Sequence, residues 1–156
     1  MSRNKGFTLI ELMIVIAIFG ILSAIITPSF LSWRDRSKVK GDATELRAVF
    51  ESAKLRAIKH NTNAVVAFPD TTSYQAFVDN NDNGALDAGE DIIVARTLSP
   101  GVTMTTITFV GNDMAFNSRG MANGPNSTGR VIMTSPGGKS YEVVVSSFGR
   151  VRMDRL

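Results

Sequence analysis

The chain has 156 residues, room for one folded domain and no second core of useful size. It contains no cysteine, which excludes disulfides, thiol nucleophiles and Cys-ligated zinc. Its formal charge of +3 argues for no nucleic-acid partner by itself, because Arg3 and Lys5 supply two of the positive charges and from Gly41 onward 11 basic side chains face 12 acidic ones.

A short basic segment ends at Gly6, and an apolar run follows from Phe7 to Thr27, broken only by Thr8, Glu11, Gly20 and Ser23. As a helix these residues reach ~31 Å at ~1.5 Å per residue, enough to cross a bilayer. A cleaved secretory signal has a shorter apolar region with its small residue after the run, whereas here Gly6 precedes it. A plain membrane anchor has no use for Glu11, because a carboxylate in lipid costs ~2.5–3.5 kcal/mol on insertion scales.

Gly6-Phe7-Thr8-Leu9-Ile10-Glu11 resembles the processing motif of type IV pilins and of the pseudopilins of type II secretion. In that family a prepilin peptidase cuts after the glycine and methylates the new N-terminal phenylalanine. The resemblance implies that Gly6 ends a leader, that Phe7 becomes the methylated N-terminus and that Glu11 is the fifth residue of the mature chain. Gly20 and Pro28 fall where helix-weakening residues recur in the family. A free amine and a carboxylate on neighbouring helices neutralise each other in low dielectric, so Glu11 becomes a register device for assembly. Basic residues flank the run on both sides (Arg34, Arg36, Lys38 and Lys40 follow it), so charge counting leaves orientation open. The peptidase motif implies a cytoplasmic leader, a single pass through the inner membrane and a periplasmic globular part.

Pro28 lacks an N–H and is expected to kink or weaken the helix. Beyond it Val39, Leu46, Ala53 and His60, interleaved with Ala43, Phe50 and Ala57, form one apolar stripe, with Asp42, Glu45, Arg47, Glu51, Lys54 and Arg56 mostly beside or opposite it. Residues 28–60 are therefore an amphipathic helix lying on a globular domain, residues 61–156. There, strands are expected at 64–68, 74–78, 92–98, 104–110, 114–117, 130–134, 141–146 and 150–153, punctuated by turn residues such as Ser99-Pro100-Gly101 and Asn123-Gly124-Pro125. The architecture is α+β: a long N-terminal helix packed by its second half on an antiparallel β-sheet, in one piece or two.

Asp79-Asn80-Asn81-Asp82-Asn83-Gly84-Ala85-Leu86-Asp87-Ala88-Gly89-Glu90 has the spacing of a calcium loop. Asp79, Asn81, Asn83, Asp87 and Glu90 stand at the oxygen-ligand positions, with the Ala85 backbone between them. Strands rather than helices flank it, and a solvated hairpin loop has the same composition. Near the C-terminus, Gly149-Arg150-Val151-Arg152, together with Phe116-Asn117-Ser118-Arg119-Gly120, resembles the GspH/FimT branch of minor pilins and pseudopilins. The Gly-Arg-x-Arg element of FimT-like members is linked to DNA capture, which makes DNA a candidate partner for Arg150 and Arg152. On a strand those two arginines share one face and can neutralise phosphates; a terminal edge strand kept soluble by charge has the same appearance.

His60 is the only histidine and ends the helix, where it complements the dipole. No nucleophile elbow, phosphate-cradling loop or zinc spacing occurs, so catalysis and a small-molecule substrate are not expected. The resemblance implies a structural subunit inserted in the inner membrane and built through its helix, with other pilins or pseudopilins, into the initiating or tip part of a pilus or pseudopilus. Many pilins staple the C-terminal region with a disulfide; this chain has none, and a calcium loop would serve as a local brace.

Overall fold

The computed structural model describes residues 6–123 and 128–156, with the side chains of 25 and 26 left aside. The expected leader residues Arg3 and Lys5, and most of the Asn123-Gly124-Pro125 turn, lie outside the described residues. The chain forms one helix, α1 (Leu9–His60), followed by nine strands: β1 (Asn63–Ala67), β2 (Ser73–Asp79), β3 (Ile92–Thr97), β4 (Thr103–Ile107), β5 (Asp113–Phe116), β6 (Ala122–Asn123), β7 (Gly129–Thr134), β8 (Ser140–Val145) and β9 (Val151–Arg155). It divides into two compact units, Met1–Arg34 and Asp35–Leu156.

The first unit is the apolar part of α1. Its described large apolar side chains, from Leu9 to Trp33, are exposed. The helix continues through Pro28. The Thr27 hydroxyl, next to the proline, donates to the Ser23 carbonyl at 2.6 Å, the back-bonding that threonine makes inside helices.

In the second unit the expected stripe is buried: Val39, Ala43, Leu46, Phe50, Ala53 and Ala57 are covered, joined by Val49. His60 departs from that expectation. It is exposed at the helix end, where the chain turns through Asn61 in the left-handed region (φ 52). Asn61 N–H donates to Ile58 O and Thr62 N–H to Ala57 O, at 3.3 and 3.2 Å. That pair of bonds is a Schellman C-cap, with asparagine in the place glycine usually takes. Asp42 departs in the other direction. It is buried and accepts hydrogen bonds from Ser99 N–H (3.1 Å) and Ser99 Oγ (3.0 Å). The two bonds tie the helix to the turn between β3 and β4, and they satisfy a carboxylate that would otherwise be costly to bury.

The strands form two antiparallel sheets, a five-stranded one in the order β3-β2-β1-β5-β6 and a four-stranded one in the order β4-β7-β8-β9. One continuous core lies between α1 and both sheets. Phe50 of α1 stands 6.0–6.3 Å from Phe68, Phe109 and Phe116, and Phe68 and Phe109 stack nearly parallel. Alternation is clean on β8, where Tyr141, Val143 and Val145 point inward. The expected strand 104–110 stops at Ile107, because Phe109 turns into the core and a 3-10 turn (Val110–Asn112) follows. The two-residue β6 is too short to show in a period-2 pattern.

Candidate functional site

Three sites follow from the residues singled out by the sequence. At the N-terminus, Gly6 and Phe7 lie outside the helix and Phe7 is exposed, so the bond between them is in non-helical backbone. Thr8 is the helix N-cap. Its Oγ1 accepts from Glu11 N–H at 3.3 Å, and one oxygen of Glu11 accepts from both Thr8 N–H and Thr8 Oγ1, each at 2.8 Å. This reciprocal arrangement is a capping box. It gives the Glu11 carboxylate a local partner that sequence reasoning missed, although the signal, Thr-x-x-Glu ahead of an apolar run, was in view.

The loop between β2 and β3 is held by its own polar groups. Buried Asp79 accepts from Asn83 N–H (3.3 Å) and Gly84 N–H (2.8 Å). Asn81 and Asn83 both donate through Nδ2 to one oxygen of Asp87, at 2.8 and 2.6 Å. These bonds, Asn81's first, hold the Asp87 carboxyl below the usual carboxylate range. Glu90 accepts from Asn80 N–H (2.9 Å) and Asp87 N–H (3.0 Å), while Ala85 N–H donates to Asn83 Oδ1. Asn81, Asn83 and Asp87 therefore converge, whereas Asp79 and Glu90 turn to backbone amides. Among the described residues no group of three His, Asp or Glu side chains is arranged to hold a metal; what converges is two side-chain N–H groups on one carboxylate oxygen, while the Asn81 and Asn83 Oδ1 atoms accept from the Asn83 and Ala85 backbone amides.

The third site is the outer face of the four-stranded sheet. Val151 is buried and Arg150 and Arg152 are exposed, as the alternation requires. With Val144, Ser146 and Phe148 they line an open groove of about 350 Å³. Register places Arg130 and Arg152 on either side of Val144, which adds a third arginine from β7 that the sequence did not connect with the other two. Arg152 pairs with Asp154 at 2.6 Å and Arg130 with Glu142 at 3.6 Å. Among the described residues no carboxylate pairs with Arg150. Phe148, 80% exposed, stands beside it in the groove.

The turn carrying Gly149 is itself built into the fold. Gly149 has φ 70, and a Cβ there would overlap the Gly120 carbonyl oxygen. Ala122 N–H donates to Ser147 O, and Lys54 Nζ of α1 donates to Gly149 O at 3.0 Å. The two stretches that carry the branch resemblance, residues 116–120 and 146–152, thus meet on the helix and join the sheets.

Comparison with known proteins agrees with this geometry. The family described as Type II transport protein GspH matches residues 42–149, and the prokaryotic N-terminal methylation motif matches residues 1–27. The type IV major pilin protein PilA of Myxococcus xanthus is 54% identical over 52 residues, 33% of this chain and 24% of that protein. The matches span between 24% and 58% of the length of such curated relatives. The minor pilin FimU of Pseudomonas aeruginosa superposes with a TM-score of 0.61 at 15% identity, over 78% of this chain and 92% of that one. The minor pseudopilin EpsH of the Vibrio cholerae type 2 secretion system does so with 0.58 at 13% identity, over 76% and 97%. Pilins and pseudopilins are structural subunits, and the apolar half of α1 has the length and composition to cross a membrane. The chain belongs to the GspH family and carries a prokaryotic N-terminal methylation motif, which makes it a protein of the minor pilin and pseudopilin type.

Proposed function

We propose that this protein is a filament subunit that is inserted in the inner membrane with its first six residues in the cytoplasm. A prepilin peptidase cuts it between Gly6 and Phe7 and methylates Phe7. The mature chain then joins other pilins or pseudopilins through its apolar helix, in the initiating or tip part of a type IV pilus or type II secretion pseudopilus. The observation that supports this reading best is Glu11, a carboxylate on an otherwise apolar exposed helix, one turn from the new amine. In the single subunit the capping box satisfies Glu11; on assembly the Phe7 amine of a neighbour becomes its partner and sets the stagger between helices. Glu11→Ala should be cut after Gly6 and methylated normally, as mass spectrometry of the N-terminus would report. Its recovery in sheared filaments should fall at least tenfold, and normal incorporation refutes the register role.

A second reading, in which the subunit takes up DNA, is favoured by the groove on the four-stranded sheet. Three arginines surround Val144, Arg150 has no carboxylate partner among the described residues, and Phe148 offers a ring for base stacking. Arg150→Ala with Arg152→Ala should weaken DNA binding and flatten its salt dependence by about two units of slope, while filaments still form. An unchanged affinity with an unchanged salt slope sinks this reading.

Calcium is the proposed ligand of the Asp79–Glu90 loop, on the calcium-loop spacing of Asp79, Asn81, Asn83, Asp87 and Glu90; binding it would require the Asn81 and Asn83 amides to turn their oxygens inward. Its measurable effect is a melting temperature that rises with calcium and falls with EDTA.

A further inference from the structure

We propose that Phe30, Trp33 and Arg34 form a headgroup clamp that fixes how deeply α1 sits in a bilayer before assembly, with Trp33 and Arg34 against anionic phospholipid headgroups. The proposal rests on the membrane-spanning reading of residues 7–27 and adds a depth, a lipid class and the side chains that set them.

Phe30 and Trp33 are a ring pair with centroids 5.8 Å apart, tilted by 33°. They are 54% and 63% exposed, with no core of their own to cover them. Residues 30, 33 and 34 share one side of the helix, because side chains three and four apart are neighbours. One helix side therefore carries two aromatic rings and a guanidinium in a single turn. Such a combination is at odds with the hydrocarbon interior, where an arginine is costly, and it suits the layer where apolar chains give way to phosphates. Tryptophan concentrates there because its ring is apolar and its N–H needs a partner. A guanidinium presents paired donors to a phosphate, and its charge complements an anionic headgroup.

The distances agree. Phe7 to Thr27 fills ~31 Å, the thickness of the hydrocarbon core, and Trp33 lies ~9 Å farther along the axis at ~1.5 Å per residue. The headgroup layer on each side adds ~5–7 Å to that core, so a modest tilt brings the Trp33 ring into it. With the clamp in that layer, the other end of the apolar run places Phe7, Thr8 and Glu11 at the opposite boundary. There a peptidase can reach the Gly6–Phe7 bond, and the capping box sits at the edge of the lipid rather than in its middle.

Trp33 is the only tryptophan in the chain, so its fluorescence reports this position alone. The full chain is reconstituted in vesicles of phosphatidylethanolamine and phosphatidylglycerol whose acyl chains carry bromine either close to the headgroup or at mid-chain. Flotation first shows whether the protein is in the membrane. Failure to float defeats the spanning reading, which is a different result from failure of the clamp. In floated vesicles the expected result is blue-shifted emission quenched more strongly by the shallow bromines than by the deep ones. Bromine placed on phosphatidylglycerol should quench roughly two- to fivefold better than bromine on phosphatidylethanolamine at equal mole fraction. Arg34→Gln should remove that lipid preference while the protein still floats. Strongest quenching at mid-chain overturns the proposal, because Trp33 is then in the hydrocarbon. Absence of quenching also overturns it, because the ring is then in water or covered by another subunit's helix. Equal quenching by the two lipids, or a preference that survives Arg34→Gln, removes the anionic headgroup as the partner.

Discussion

Asp70 shows how much a single exposed carboxylate organises. It follows Pro69 in the turn between β1 and β2, and its two oxygens accept from Thr72 N–H, Thr72 Oγ1 and Ser73 Oγ at 2.6–2.7 Å. The Ser73 hydroxyl contributes most and Thr72 next, and together they pull the carboxyl from its ordinary 3.8 to about 2. These bonds favour the charged form in the folded state only. A carboxyl depressed on folding stabilises the fold above its unfolded value and loses that contribution as the pH falls through its folded value. Wild type should therefore be more stable than Asp70→Asn at neutral pH, and the difference should shrink between pH 3.8 and about 2. Paired urea melts across that range check it, and a difference independent of pH would assign the effect to something other than the charge. Burial does the opposite at Asp113, raising its carboxyl, so the two aspartates bracket what local environment does to one residue type.

Helix α1 was legible because an apolar run and a seven-residue stripe are long, repetitive signals. Most strands were legible to within a residue or two, because turn residues punctuate them, but β4 ends three residues before the expected 110 and β6 gave no signal. What stayed hidden depends on partners far away in sequence. Asp42 reads as a surface charge until Ser99 appears 57 residues later to satisfy it. Arg130 reads as one more exposed cation until register sets it across Val144 from Arg152. Even the division into two sheets rests on which strands find each other, with β1 pairing with β5 rather than with a sequence neighbour on that side. The Gly149 turn is the clearest example. In the sequence it is part of a charged terminal motif; in the fold it touches the Gly120 turn and is held by Lys54, so it joins helix and both sheets. Gly149→Ala places a Cβ at positive φ, at ~1–2 kcal/mol, and must also displace the Gly120 carbonyl oxygen. We expect a loss of at least ~2 kcal/mol in urea denaturation, a large share of the ~5–15 kcal/mol typical of a domain. A loss below ~0.5 kcal/mol, the usual size of a surface substitution, would mean that the turns separate freely.

The chain combines two units with opposite solvent demands. Up to Arg34 the described large apolar side chains are exposed, and they need lipid or other helices around them; from Asp35 on, most side chains of the same kinds are buried, in one continuous core. Every member of that core lies between Val39 and Val151, apart from the partly buried Met153 packed on it, so among the described residues the buried apolar contacts that stabilise the fold all lie within 35–156. Those residues should therefore fold without the first 34, giving a soluble protein that unfolds in one cooperative transition. The same fragment isolates the calcium question from the membrane. A ligand that binds only the folded state raises its stability by RT ln(1 + [L]/Kd), so calcium at ~100 times Kd should add ~2.7 kcal/mol, worth several degrees in a domain of this size. Asp87→Asn removes the one carboxylate of the convergent group and should remove most of that shift. It should leave the EDTA melting temperature within a degree or two of wild type, since a surface loop substitution rarely changes stability by more than ~0.5 kcal/mol. A fragment that melts at the same temperature in millimolar calcium and in EDTA would leave the loop as a hairpin braced by Asp79, Asp87 and Glu90 alone.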